Sequence, residues 1–319
     1  MASEFDLIAK HFTRPAAPGQ LGVGDDCALF VVPSGHHVAT STDLLVEGRH
    51  FFPDVDPQAL GHKTLAVNLS DLAAMGAQPL GCLLGLALPR ADDAWLAAFA
   101  RGFHELADAA GCPLIGGDTT RSPSLLVLSV TVFGVLKPSE ALRRDAACVG
   151  DEIWVSGEIG AADVAYRLLD GQLPADAQRL SAVRRALEWP TPRLALGRAL
   201  AGLAHAAIDI SDGLLQDLGH ILDRSKVGAA LRYSALPASS GLEGLDEAVR
   251  RRALLGGGDV YELCFTAAPA DHARILQVAA TTGVRVSCVG SITERGGLIV
   301  LDDRGRPLPD LPQGFDHFA

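Results

Sequence analysis

Apolar and polar positions follow two different periods along this chain. Short apolar runs typical of strands, among them Val38–Thr42, Glu152–Ser156 and Ala206–Ile210, are separated by longer stretches with helical spacing. Strands and helices therefore alternate along the chain instead of forming separate blocks. This order predicts an α/β or α+β fold.

The first half of the chain contains two predicted helices. One begins at Pro57, which suits a first helical turn, and continues to Met75, where a glycine follows. Its spacing places Asp71 on the same face as Thr64. The second predicted helix covers Trp95–Ala110 and also ends at a glycine.

Four further segments complete the predicted framework. Three have the composition of strands and one that of a hairpin; in chain order they are Leu125–Leu136, Tyr261–Thr266, Val284–Val289 and the hairpin Leu298–Pro307. A connecting region from about residue 137 to 150 separates the two halves. We therefore predict one domain over residues 1–137 and a second over 138–319.

Charge and hydropathy exclude several classes of function. The chain has 319 residues, a net charge of −11 and 48% hydrophobic residues. The negative charge argues against nucleic acid or an anionic membrane as partner. No apolar run reaches the roughly 18 residues that a membrane helix needs. The first residues lack the basic and apolar parts of a signal peptide, so we predict a cytoplasmic protein.

The six cysteines are widely spaced, at positions 27, 82, 112, 148, 264 and 288. No two have the C-x-x-C spacing of a zinc or redox site. We expect buried or partly buried thiols in a reducing compartment.

The common nucleotide-binding motifs are missing. No Gly-Lys dipeptide occurs, which excludes a Walker A loop, and Gly22-Val23-Gly24 lacks the third glycine of a dinucleotide fingerprint. If the protein uses ATP, it must bind the phosphates in another way.

A set of aspartates is the remaining candidate for chemistry. Most follow glycines or end predicted strands: Asp25, Asp26, Asp43, Asp71, Asp118, Asp209 and Asp212. Carboxylates and neighbouring hydroxyls, such as those of Ser41 and Thr42, are ligands that Mg²⁺ accepts. Turn formation, helix capping and solvent exposure explain the same residues at least as well, so composition and spacing alone do not decide between the two interpretations.

The order of the aspartate motifs and the residues around each aspartate carry more information. The motifs are Gly22-Val23-Gly24-Asp25-Asp26-Cys27-Ala28, Ser41-Thr42-Asp43, Asn68-Leu69-Ser70-Asp71-Leu72-Ala73-Ala74-Met75-Gly76-Ala77, Ile115-Gly116-Gly117-Asp118-Thr119-Thr120-Arg121 and Ile208-Asp209-Ile210-Ser211-Asp212-Gly213-Leu214. Together they closely resemble the thiamine-monophosphate kinase family, and the resemblance extends over essentially the whole chain.

The resemblance implies a fold and a reaction. The fold is the two-domain type of the aminoimidazole-ribonucleotide synthetase superfamily, in which each domain is a mixed sheet packed with helices. The reaction is direct transfer of the γ-phosphoryl group of ATP to thiamine monophosphate, with several Mg²⁺ ions. The N-terminal domain would bind ATP and Mg²⁺ and form a homodimer, and the C-terminal domain would complete the active-site cleft.

The resemblance also implies roles for individual residues. Asp71 and Asp118 would be catalytic through bound metal, without a general base. The implied metal ligands are Asp26, Ser41, Thr42, Asp43, Asp71, Asp118, Asp209 and Asp212. The implied ATP contacts are Gly117, Arg144 and Ser211, and the implied substrate contacts are His50, Asp259 and Phe315.

One motif departs from the family. Where the family has Gly-Gly-Glu-Asp-Tyr-Glu-Leu, this chain has Asp259 and Val260 in place of the Glu-Asp pair. Asp259 keeps a carboxylate on a shorter side chain, and Val260 removes the second acid. Two alternatives stay open: another ATP-using enzyme of the superfamily that performs dehydration or ring closure, and a binder of nucleotide or thiamine phosphate without catalysis, for which Val260 is the only hint.

Overall fold

The computed structural model describes residues 4–16, 20–24, 27–294 and 296–315. Contacts divide the chain into two compact units. Unit 1 comprises Met1–Leu72 and Ala77–Pro138, and unit 2 comprises Ala73–Gly76 and Ser139–Ala319.

Unit 1 is built on a four-stranded sheet with helices. Its helices are α1 (Glu4–His11), α2 (Pro57–Ala74), whose last two residues belong to unit 2, and α3 (Asp93–Ala110). Its strands are β1 (His37–Val46), β2 (Gln78–Leu88), β3 (Leu114–Arg121) and β4 (Val127–Leu136), in the sheet order β1-β4-β2-β3. Strands β2 and β3 are parallel, and the other two pairings are antiparallel.

The first sheet has one buried face and one open face. Along β4, Leu128, Val130 and Val132 are fully buried, whereas the alternate residues Ser129 and Thr131 are partly exposed. Helix α2 lies on the buried face, because Asn68 and Asp71 of this helix bond to β1.

Unit 2 contains a six-stranded mixed sheet. Its strands are β5 (Glu152–Ser156), β6 (Ala206–Asp209), β7 (Gly228–Arg232), β8 (Leu263–Ala267), β9 (Val286–Thr293) and β10 (Gly297–Leu301), in the order β10-β7-β9-β5-β8-β6. Its helices are α4 (Ala161–Leu169), α5 (Ala177–Glu188), α6 (Leu194–Leu200), α7 (Leu214–Ser225), α8 (Glu247–Gly256) and α9 (His272–Thr282). Short 3-10 turns lie at Pro138–Glu140, Tyr233–Ala235, Ser240–Leu242 and Pro269–Asp271.

One apolar cluster of unit 2 joins its sheet to two helices. Trp154 of β5 and Phe265 of β8 are buried beside Leu196 and Leu200 of α6 and Ile275 of α9. Both sheets are mixed and packed with helices, which confirms the predicted fold class. Among the described residues, no helix combines the length and the apolar composition required to cross a membrane.

Several details differ from the sequence prediction; for example, the strand predicted at Val284–Val289 is β9, Val286–Thr293. Strand β2 was not predicted, because its sequence contains Pro79, Gly81 and Gly85. Proline and glycine argue against a strand in the interior of a sheet, where β2 lies. The strand predicted from Tyr261 begins two residues later, since Tyr261 itself has a φ of 55°.

The hairpin predicted at Leu298–Pro307 is confirmed in part. Strand β10 pairs in parallel with β7, and the chain returns antiparallel to the end of β10 through the bridge between Leu301 and Pro307 and the hydrogen bond from the N–H of Leu308 to the carbonyl of Val300. The Asp302 side chain accepts hydrogen bonds from the backbone N–H groups of Arg304 and Arg306, which favours a compact turn over a second strand.

Candidate active site

The predicted residues of β1 fall on both faces of the first sheet. Ser41 and Asp43 are partners of Val132 and Val130 in the ladder and therefore share the buried face, whereas Thr42 is opposite Thr131 on the open face. We expected Asp43 at the end of its strand. It lies instead within β1, three residues before the last one.

The buried face holds a compact polar cluster. The Ser41 hydroxyl donates to Oδ2 of Asp71 at 2.6 Å, and the backbone N–H of Asp43 donates to Oδ1 of Asn68 at 3.0 Å. Asn68 in turn donates to the carbonyl of Thr64 at 3.2 Å. Because Thr64, Asn68 and Asp71 recur at helical spacing, they lie on a single face of α2, which supplies the side chains of Asn68 and Asp71 and the carbonyl of Thr64.

Two carboxylates of this cluster repel each other. Burial, followed by the negative charge of Asp71, raises the pKa of Asp43 to about 7. A buried carboxylate with an acidic neighbour and an elevated pKa is unstable in its charged form unless a cation is bound. This pair therefore has the electrostatics of a cation site.

Asp118 and Gly117 lie at a pocket on the open face. The pocket has a volume of about 900 Å³, and the residues that line it include Phe30, Phe133, Gly116, Gly117 and Asp118. Asp118 is opposite Gly85, and Gly85 is opposite Ser129, so small residues leave space beside the carboxylate.

Gly117 allows strands β2 and β3 to approach closely. It has a φ of 157°, and a Cβ atom at this position would lie 2.0 Å from the carbonyl oxygen of Leu84. Only glycine fits here, so the backbone at the pocket wall is fixed by the sequence.

The sheet order separates Asp118 from the β1 residues. Strands β1 and β3 are the two edges of the sheet, three inter-strand spacings apart, which corresponds to about 14 Å along the sheet. Within unit 1 the structure thus gives two groups: Ser41, Asp43 and Asp71 on the buried face, and Asp118 and Gly117 at the pocket.

His50 is held in a defined orientation just after β1. The backbone N–H of Val46 donates to its Nδ1 at 3.0 Å, and Lys63 donates to its carbonyl at 3.4 Å. Since Nδ1 acts as the acceptor, the proton of the neutral ring is on Nε2. In this tautomer Nε2 is the hydrogen-bond donor of the ring.

In unit 2, Asp217 organises the loop that follows β6. Its Oδ2 accepts backbone N–H groups from Ser211, Asp212 and Gly213, each at 3.0 Å. The sequence analysis did not select Asp217. The available signal was the position of this acid in the first turn of α7, where free N–H groups attract negative charge.

Two distant segments are attached to the same loop. The carbonyl of Ser211 accepts the N–H of Asp259 at 2.8 Å, and the carbonyl of Asp212 accepts the N–H of Phe315 at 2.9 Å. Gln216 also donates to the carbonyl of Phe315 at 2.9 Å. The structure therefore brings Ser211, Asp212, Asp259 and Phe315 together, although they are more than 100 residues apart at the extremes.

The segment around Asp259 has an unusual backbone. Asp259 and Tyr261 have φ values of 59° and 55°, in the left-handed region that side chains rarely adopt. The Tyr261 hydroxyl donates to Oδ1 of Asp259 at 3.0 Å, which fixes the direction of the carboxylate. Strained residues of this kind are concentrated at functional sites.

Three predicted residues remain. Asp209 is the last residue of β6 and is buried. Arg144 is exposed in the connection that follows unit 1, and its carbonyl accepts a hydrogen bond from Ser225. Asp26 lies outside the described residues.

Family models match both halves of the chain. The N-terminal domain of AIR synthase related proteins matches residues 24–136, and the C-terminal domain of the same family matches residues 149–303. The thiamine-monophosphate kinase of Escherichia coli (strain K12) is 42% identical over 99% of this chain and 98% of its own length. The chain belongs to the thiamine-monophosphate kinase family.

Solved structures agree with this family. A thiamine-monophosphate kinase from Stenotrophomonas maltophilia K279a has a TM-score of 0.83 and 45% identity, covering 89% of this chain and 91% of that one. AaThiL complexed with AMPPCP and TMP has a TM-score of 0.78 and 28% identity, covering 90% and 89% of the two chains. The predicted thiamine-monophosphate kinase family and enzyme class are confirmed.

Proposed function

We propose that this protein transfers the γ-phosphoryl group of ATP directly to thiamine monophosphate, producing thiamine diphosphate and ADP. The observation that carries the proposal is 42% identity to a thiamine-monophosphate kinase over nearly the full length of both chains. A related structure that contains AMPPCP and TMP supports both substrates.

Mg²⁺ is part of the proposal, and the donor set fits it. The candidate ligands are oxygens, and the negative charge of Asp71 adds to burial in raising the pKa of Asp43, so a bound cation would stabilise the ionised pair. The proposed ligands are Ser41, Thr42, Asp43, Asp71, Asp118, Asp209 and Asp212, together with Asp26. Bound Mg²⁺ would neutralise charge on the phosphates of the two substrates.

The pocket of unit 1 is the proposed nucleotide site. Its volume of about 900 Å³ suits a ligand of this size, and Phe30 and Phe133 give it an apolar wall. The backbone at Gly117, which carries no side chain, would face the phosphates. Arg144 and Ser211 are the further proposed ATP contacts.

The reaction needs no general base. The acceptor is a phosphate monoester with a second pKa near 6, so its attacking oxygen is already largely ionised at neutral pH. That oxygen forms a bond to the γ-phosphorus while the bond to the bridging oxygen of ADP breaks. The side chains then have to hold two anionic groups so that the attacking oxygen and the leaving oxygen are in line with the γ-phosphorus.

The proposed substrate contacts are His50, Asp259 and Phe315. His50 would donate through Nε2, and the Asp259 carboxylate, held by Tyr261, would face the cationic thiamine moiety. The backbone bonds of Phe315 to Asp212 and Gln216 support a substrate contact by its aromatic ring near this segment.

A homodimer built on unit 1 and a cytoplasmic location complete the proposal. Strand β1 is an edge strand on which Val38 and Leu44 are 44% and 61% exposed, and such edges favour pairing with another chain. All six cysteines are free, as expected in a reducing compartment, but Cys27 and Cys148 are exposed, so the expectation of buried or partly buried thiols is wrong for these two. Light scattering should give twice the chain mass, and a smaller mass for Val38→Glu.

One assay tests the reaction. Purified protein, ATP, Mg²⁺ and thiamine monophosphate should yield ADP and thiamine diphosphate in equal amounts. ADP formed only with a different acceptor would favour an enzyme of the ring-closing type. Binding of both substrates without turnover would favour a non-catalytic binder, for which Val260 is the only hint in the sequence.

A further inference from the structure

A thiol, a carboxylate and an imidazole meet at one edge of the second sheet. Potential ligand atoms of Cys148, Asp151 and His205 all lie within 4.8 Å of one another. His205 Nδ1 is 2.9 Å from Oδ2 of Asp151 and 3.0 Å from Oδ1. We propose that these three side chains bind a zinc-type divalent cation, with a solvent molecule as the fourth ligand.

The sheet topology explains why the three residues meet. Asp151 directly precedes β5 and His205 directly precedes β6, and both strands run antiparallel to β8, which lies between them. Strands β5 and β6 therefore both begin at the same end of the sheet. Side chains of the residues before them can converge over the end of β8.

A tight turn supplies two of the ligands. The N–H of Asp151 donates to the carbonyl of Cys148 at 3.0 Å, and the N–H of Cys148 donates to Oδ2 of Asp151 at 2.9 Å. Gly150, at a φ of 92°, permits the turn and donates to Ile292 of β9 at 3.0 Å. The Cys-x-x-Asp spacing thus resembles the short loops that present two ligands to structural zinc.

The dimensions suit a small transition-metal ion. Three atoms within 4.8 Å of one another can all lie within about 2.8 Å of a common centre, and zinc bonds measure about 2.0–2.3 Å. Shifts of roughly half an ångström in exposed side chains would close the difference. Cys148 is exposed and the His205 side chain is 38% exposed, whereas Asp151 is 4% exposed and serves as a fixed anchor.

The ligand types select the metal. A thiolate and an imidazole prefer Zn²⁺ or Co²⁺ to Mg²⁺, which takes oxygen ligands. Metal binding would release the thiol proton to solvent and replace the weak contact of Sγ with the carbonyl of Ala146 at 3.6 Å. The site is separate from Asp209, which lies at the other end of β6, about 13 Å along the strand.

The chain contains a matched control. His272 lies 2.8 Å from a carboxylate oxygen of Glu152, but neither residue belongs to a group of three ligands in the described part of the chain. Cys27 is a second exposed thiol, located in unit 1. Variants of His272 test whether an ordinary histidine–carboxylate contact is enough to bind metal. Variants of Cys27 test whether any exposed thiol is enough.

The test uses Co²⁺ as a spectroscopic substitute for Zn²⁺, with chelator-treated full-length protein in excess Mg²⁺. One equivalent of Co²⁺ should produce a thiolate-to-cobalt charge-transfer band, and one equivalent of Zn²⁺ should abolish it. Cys148→Ser should lose the band, and His205→Gln should weaken Co²⁺ binding at least about 10-fold. His272→Gln and Cys27→Ser should behave as wild type.

Thermal unfolding gives an independent readout. One equivalent of Zn²⁺ should raise the Tm of wild type and leave that of Cys148→Ser unchanged, while the two metal-free proteins melt at similar temperatures. The proposal is overturned if wild type gives no band, if the band survives Cys148→Ser, or if it depends on Cys27. None of these measurements depends on phosphoryl transfer, so they stand or fall separately from the proposed reaction.

Discussion

In unit 1, the clustered predicted metal ligands lie on regular elements: Ser41 and Asp43 on a strand, and Asp71 on a helix. In unit 2, Ser211 and Asp259 lie on irregular segments that are fixed by backbone hydrogen bonds. The first arrangement concentrates negative charge at a buried position. The second fixes backbone positions through an acid, Asp217, whose removal should affect the loop as a whole. These two arrangements predict different responses to mutation.

The largest effect is expected in unit 1 for Asp71→Asn. The change keeps the shape and an oxygen that can accept from Ser41, but it removes a charge proposed to hold metal. We expect kcat to fall by at least roughly 10²-fold, because a bound metal ion contributes several kcal/mol to such a reaction. Asp118→Asn should behave similarly.

Steady-state kinetics at saturating Mg²⁺, with circular dichroism to verify folding, measures this effect. The control is Asp108→Asn in the same unit, which alters an exposed ion pair with Arg14. A folded Asp71→Asn variant with the wild-type rate would contradict the assignment of Asp71 as a metal ligand.

The next effect is expected in unit 2 for Asp217→Ala. It would leave three backbone N–H groups without their acceptor and should lower the free energy of unfolding by about 3 kcal/mol. Because the loop carries Ser211 and Asp212, KM for ATP should rise as well.

Asp217→Asn should recover part of the loss, since its amide oxygen can still accept. Urea unfolding and KM measurements check both variants, with Asp223→Ala on the exposed side of the same helix as control. If Asp217→Ala matched Asp223→Ala in both measurements, the loop would not depend on this carboxylate.

A smaller, pH-dependent effect should come from Asp43. Its pKa of about 7 in the folded protein lies above the unfolded value, so the folded state retains a proton that the unfolded state has lost. Without Mg²⁺, the contribution of Asp43 to stability should therefore be greatest below about pH 4 and fall as pH rises to about 7.

Mg²⁺ binds the ionised carboxylate, so it should raise the Tm of wild type more at pH 8 than at pH 5.5. In Asp43→Asn both the metal-free pH trend and the difference in the Mg²⁺ effect should be reduced. Differential scanning calorimetry at several pH values provides the data. An Asp43→Asn profile parallel to wild type would mean that Asp43 titrates normally.

The smallest effect is expected from Val260→Asp, which restores the acid usual in the family. A partly exposed charge contributes up to about 1 kcal/mol, so KM for thiamine monophosphate should change by no more than about 5-fold. The control is Val260→Asn, because asparagine has the shape of aspartate but no charge. A lower KM in Val260→Asp alone would show that the missing charge weakens substrate binding.

Periodicity and motif order determined a large part of this protein. The run Glu152–Ser156 was predicted with the bounds of β5, and the helical spacing of Thr64 and Asp71 corresponds to one face of α2. Local patterns suffice in these places because strand and helix geometry fixes side-chain direction every second or every third to fourth residue. The five motifs were also enough to identify the family, since their order can be read from the sequence without a structure.

Tertiary structure alone decided the rest. The left-handed backbone at Asp259 and Tyr261, the attachment of Phe315 to Asp212, and the meeting of Cys148 with His205 all depend on segments far apart in the chain. Likewise, the face that Asp43 occupies follows from the register of β1 against β4. Such contacts depend on strand order and pairing, which no local pattern of residues encodes, so they become visible only in the folded chain.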